Sequence, residues 1–159
     1  MKRITMMAGI LVLALIGVAS VGHAQGTAAR GPDPSTLRDT DLEKDSYHNL
    51  EVAQQYFKLK KAYVASLKRS EEIIAGNPNF AKIDQALYIA GMSSFYLSQN
   101  RGKQKVTVIP EKERLSANQY REEARVHLSA LANEHPDSSF SKLAADTLRE
   151  LGGPLPKGQ

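Results

Sequence analysis

Ile73–Ile74–Ala75–Gly76–Asn77–Pro78–Asn79–Phe80 and Leu131–Ala132–Asn133–Glu134–His135–Pro136–Asp137–Ser138 are two versions of one helix ending, and they decide how the chain is organised. Each closes an apolar run spaced by threes and fours, the helical period, with a proline that cannot continue a helix. In the first, Gly76 is expected to supply a left-handed cap as well. Counting back twelve, eight and five residues from each proline gives Ser66, Ser70 and Ile73 in one case, and Ala124, Leu128 and Leu131 in the other. A small residue lets a neighbouring helix approach, the next two pack, and the proline fixes the turn into the following hairpin. That is the second helix of a two-helix repeat.

Working outward, the same period predicts five helices. The first lies at about 46–59, with Leu50, Ala53 and Phe57 in one stripe and Tyr47 at its start. The second, at about 61–75, turns Val64, Leu67, Ile73 and Ile74 inward; the third, at about 83–99, carries Ala86, Leu87, Ala90, Ser94 and Leu97. Asp84 falls in the first turn of the third helix, where a carboxylate complements exposed amides. The fourth, at about 117–134, presents Tyr120, Ala124, Leu128 and Leu131. A fifth follows an Asp137–Ser138 cap with Phe140, Leu143, Ala144, Leu148 and Leu151, until Gly152–Gly153–Pro154 stops it. Helices of this length joined mostly by short turns make antiparallel hairpins, so the fold class is all-α.

The two prolines lie 58 residues apart, against a period of about 34 for repeats of the tetratricopeptide type, which leaves about 24 residues extra. The first-helix pattern falls on Leu50, Ala53, Gln54 and Phe57, and again on Leu87, Ala90 and Gly91 followed by Phe95–Tyr96; only the second has a small residue at the close-contact position. Helical periodicity fails near 100–116, which places an irregular insertion there. Its basic cluster Arg101–Gly102–Lys103–Gln104–Lys105 precedes the one β-prone run, Val106–Thr107–Val108–Ile109. Such a segment either adds to a partner's sheet edge or touches anionic headgroups, or it is a solvated loop whose apolar residues pack back on the domain.

Leu67–Lys68–Arg69–Ser70–Glu71–Glu72–Ile73–Ile74 through Asn77–Pro78–Asn79–Phe80, then Ala86–Leu87–Tyr88–Ile89–Ala90–Gly91, resembles the tetratricopeptide-like domain of the outer-membrane assembly lipoprotein BamD family. His127–Leu128–Ser129–Ala130–Leu131 with His135–Pro136–Asp137–Ser138 is similar to the same family's recurring second-helix ending. The resemblance covers roughly 46–150 and implies a scaffold that docks envelope proteins and performs no chemistry. The chain departs from the family in having two repeats and a terminal helix instead of about five repeats, and no cysteine for a lipid anchor. Outer-membrane association would then come only through partners.

Composition narrows the chemistry. With 159 residues, 42% hydrophobic and 24% charged, the chain has an ordinary globular balance and room for one domain. The absence of cysteine excludes disulfides, thiolate catalysis, cysteine-ligated zinc and iron–sulfur clusters. Residues 1–24 open with Lys2 and Arg3, continue apolar from Met6 to Val21, and end in Gly22 and Ala24 around His23. These are the three parts of a secretory signal peptide, too short for a comfortable membrane span. Cleavage there predicts a periplasmic chain with 19 basic and 17 acidic residues, a near-neutral balance that gives no reason to expect nucleic acid. Residues 25–44, with Gly26, Gly31, Pro32 and Pro34, read as a flexible linker, 45–151 as the helical domain and 152–159 as a tail.

In stacked hairpins the first helix of each lines a concave face. The residues expected to bind a partner there are Glu51, Gln55 and Lys58 from the first helix and Tyr88, Met92, Phe95 and Tyr96 from the third. Rings supply area and methionine adapts its shape to a peptide; the alternative is that the inserted segment or the fifth helix covers these large side chains. No metal, cofactor or catalytic residue is expected. Around His48 only Asp45 and Glu51 offer themselves, and there is neither a Gly-x-Ser-x-Gly elbow nor a glycine-rich phosphate loop. Three functions follow in order: a scaffold binding an envelope protein or peptide, a self-associating structural unit, and a small ligand-binding protein or enzyme marked by a buried charged pair near Glu51 and Lys58.

Overall fold

The computed structural model describes residues 40–157, so the leader expected at 1–24 and the linker residues 25–39 lie outside the described residues. Five α-helices follow in order: α1 (Thr40–Gln54), α2 (Tyr63–Gly76), α3 (Ile83–Ser98), α4 (Ala117–Glu134) and α5 (Ser139–Glu150), with no strand among the described residues. The all-α hairpin architecture is therefore present, with element ends close to the expected ones except at α1. That helix is already formed at Thr40, the first described residue and inside the expected linker, where Asp41 and Glu43 carry no apolar stripe to betray it. It continues as a wider π-helical turn over Gln55–Lys60 and closes at Lys61, whose φ of 49° is left-handed.

α3 is the central helix. It packs between α1 and α2 on one side and α4 and α5 on the other, which buries Ala86, Leu87, Ile89 to Phe95 and Leu97. Gly91 permits this: a Cβ there would lie 2.5 Å from Leu128 Cδ2, inside van der Waals contact. The small residue expected at the close-contact position is thus where α3 and α4 meet. Phe57 and Ile74 bridge all three apolar clusters, and Leu87 and Leu128 share one of them. Leu143, expected inward, is instead 62% exposed; the buried stripe of α5 runs through Ala144 and Leu148.

The two proline turns are each tied back to the start of the hairpin's first helix. Asn77 Nδ2 donates to Ser46 Oγ at 3.1 Å and to Glu43 Oε2 at 3.2 Å, while Glu43 Oε1 accepts the Ala81 amide. In the second turn Ser138 Oγ donates to Asp84 Oδ2 at 2.7 Å and accepts the Phe140 amide. Gly76 stays helical and Asn77, at φ −141°, ends α2. The left-handed glycine cap is not needed, because Asn77 is held by its bonds to α1.

The insertion is a packed strap. Gly102, at φ +110°, lies against the Tyr63 ring and the Lys61 carbonyl, where a Cβ would come within 2.8 Å of backbone oxygen. The Lys103 amide donates to that same carbonyl. Gln104 Oε1 accepts the Ala65 amide at 3.1 Å, capping α2 from outside the helix, since Ala62 has no side chain that can cap it. Val106, Ile109 and Leu115 then pack beside Tyr63, Leu67, Leu97 and Tyr120. The β-prone run forms a 3₁₀ turn at Val106–Val108. Ser116 and Gln119 make a reciprocal capping box for α4. The tail folds back along α4: the Leu155 amide donates to Ser129 Oγ, and Arg125 Nε to the Gly153 carbonyl.

Candidate functional site

Among the described residues, one depression lies between α1 and the start of α3 and another between α2 and α4. The first, the inner one, is a trough of about 440 Å³ lined by Tyr47, His48, Leu50, Glu51, Gln54, Lys82 and Gln85. Glu51 is exposed on α1 and Gln55 and Lys58 on the π-helical turn that continues it, and only Glu51 of the three lines the trough. Tyr47 stands 44% exposed at its edge, its ring meeting Phe80 edge-on.

The expected aromatic–methionine patch is corrected by the structure. Met92 and Phe95 are 6% and 5% exposed and belong to the core with Leu128, Ala144 and Leu148. Tyr88 is half-buried with its ring 5.3 Å from that of Phe140 on α5. Tyr96 stacks on Phe57, meets the Tyr63 ring at a tilt and is covered by the guanidinium of Arg101 at 4.5 Å. The physical reason is the small interior of two hairpins. With α3 central, every large side chain it carries is needed for packing, so α5 and the insertion cover the face that would otherwise be free.

The outer depression is larger. It runs between α2 and α4, walled by the insertion, as two adjoining cavities of about 630 and 500 Å³ that share Glu71, Leu115 and Glu123. Val64, Leu67 and Leu97 give it an apolar floor, and Val108 and Val126 stand exposed on its rim. Glu123 Oε2 has no accessible surface and no hydrogen-bond partner. Burial, with the nearby Glu123 carboxylate second, pushes Glu71 up to about 7. Burial raises Glu123 as well and lowers His127 to about 4, so the imidazole is neutral at pH 7. Tyr120 is raised first by burial and then by both carboxylates.

Among the described residues no cation is paired with either carboxylate. Arg114 donates to the Ile109 carbonyl and leaves its Nε unpartnered, and neither it nor Lys68 forms an ion pair with Glu71 or Glu123. A charged pair near Glu51 and Lys58 does not form either, as both are solvated. Sequence reasoning missed the outer site because it weighed acidic neighbours only around His48. Glu123 stands one turn before His127, on the face of α4 beside the Tyr120–Ala124–Leu128 stripe, a spacing visible in the sequence. Its meeting with Glu71, 52 positions away, depends on how the hairpins stack. Among the described residues no group of three or more histidine, aspartate or glutamate side chains is placed to hold a metal. No protein family, curated protein or solved structure matches the chain.

Proposed function

We propose that the chain is an exported helical-repeat scaffold of the tetratricopeptide type that binds a segment of another envelope protein, within outer-membrane protein assembly and without turnover. Proteins of such architecture act by surface complementarity, the leading helices of successive hairpins forming a common trough for an extended or helical segment. The observation that supports this reading is the trough between α1 and α3, open, mixed in polarity and edged by Tyr47, Glu51 and Gln85. The proline-turn repeat and the leader-like residues 1–24 supply the family and compartment parts of the proposal. Photo-crosslinking tests it. A probe at Glu51, which lines the trough, should capture one defined partner in cell-envelope extract, and a probe at Lys105 should not. Capture from Lys105 alone would make the insertion the binding element and overturn the trough.

A further inference from the structure

Two carboxylates that face one cavity without a counter-ion carry an electrostatic cost that a protein tolerates only if something relieves it. Protonation is one relief; an incoming cation is the other. Glu71 from α2 and Glu123 from α4 meet where the two outer cavities join, with Glu123 Oε2 enclosed and unbonded. From α2 the group that faces them is Lys68; from α4 they are Tyr120, Glu122 and His127; from the insertion they are Glu113 and Arg114. None of these supplies a positive charge bonded to either carboxylate. The walls leading in are leucine and valine, and two of those valines, Val108 and Val126, are 59% and 51% exposed.

The geometry points to a docking groove between α2 and α4 for a basic amphipathic segment of a partner protein, whose arginine side chain enters between Glu71 and Glu123. Charge complementarity selects the occupant. An arginine stem lies along apolar surface while its planar fork offers donors to two carboxylates at once, and the flanking apolar residues of the segment cover Val108 and Val126. This groove shares no lining residue with the trough, so it stands or falls independently of the trough reading.

Fluorescence anisotropy of the intact protein with a labelled leucine–glutamine peptide carrying one central arginine tests the groove, the same peptide with glutamine in place of arginine serving as control. The arginine peptide should bind near pH 8 at least about tenfold more tightly than the glutamine peptide. Glu71→Gln and Glu123→Gln, which preserve shape, should each remove about tenfold of that affinity while circular dichroism remains helical. Affinity should fall about tenfold or more towards pH 5, as Glu71 takes up its proton, while His127, neutral over that range, contributes nothing. Equal binding of both peptides, or arginine binding unaffected by either glutamine variant, would overturn the groove. Weakening by Glu51→Gln in place of Glu71→Gln would move the peptide to the inner trough and also overturn it. Light scattering that shows a dimer dissociated by the peptide would make a second copy the occupant, with the same consequence.

Discussion

The inner trough and the outer cleft share no lining residue and differ in how they hold charge. In the trough Glu51 is solvated, and Lys82 and Gln85 edge the same open space. In the cleft Glu71 and Glu123 are partly withdrawn from water, unpaired, and next to leucine and valine. Charge in water is nearly free of consequence for stability, whereas charge at a half-buried, uncompensated site is not. The insertion makes the difference. It fills the outer side with Ile109, Pro110 and Leu115, walling the groove between α2 and α4, and among the described residues nothing comparable covers α1.

The largest expected effect is at the core contact between α3 and α4. Leu128→Ala removes a fully buried side chain packed against Gly91 and should cost about 2–5 kcal/mol in urea unfolding. Gly91→Val should be similarly damaging, because its branches would enter the space Leu128 occupies.

Next in size is a pH effect that should distinguish the two sides. Folded Glu71 keeps its proton up to about pH 7, whereas in the unfolded chain the carboxyl gives it up near the ordinary 4.5. The folded state binds more protons over that window, so its stability is full below about 4.5 and is lost as pH rises through 7. Allowing for solvent screening of a half-exposed group, the loss should be about 1–2 kcal/mol, and Glu71→Gln should abolish it. His127 acts in the opposite sense. Its folded value near 4 lies below the ordinary 6.5, so stability is lost as pH falls from about 6.5 through 4, and His127→Gln should remove that acid limb.

A smaller effect tests the strap that walls the cleft. Gln104→Ala leaves the Ala65 amide without its acceptor and should lower stability by about 1 kcal/mol. Smallest is Glu51→Gln, on the solvated side, which should change unfolding by less than about 0.5 kcal/mol at any pH between 5 and 8.

Much of this architecture is legible in the sequence, because helices announce themselves by period and punctuation. The stripe Tyr120–Ala124–Leu128–Leu131 is buried throughout, and the Ser138 cap and the interruption after α3 fall where their residue types place them. The inward turn of Met92 and Phe95 was legible only as an alternative. Whether a large side chain at the edge of a stripe is free depends on whether another element reaches it; α5 reaches Met92 and Phe95, and Arg101 covers Tyr96. The part of α1 inside the expected linker escaped because Asp41 and Glu43 mark no apolar stripe. The Glu71–Glu123 pair is a tertiary product. Local spacing shows two ordinary surface-type glutamates, and only the stacking of α2 and α4 around the insertion brings them to one cavity.

A carboxyl-carbon NMR titration of Glu71, with and without the arginine peptide, tests the asymmetry most directly. The account predicts a midpoint near 7 in the free protein that falls by about one unit or more when the peptide binds. A midpoint near 4.5 in the free protein, or one near 7 that the peptide leaves in place, would contradict it.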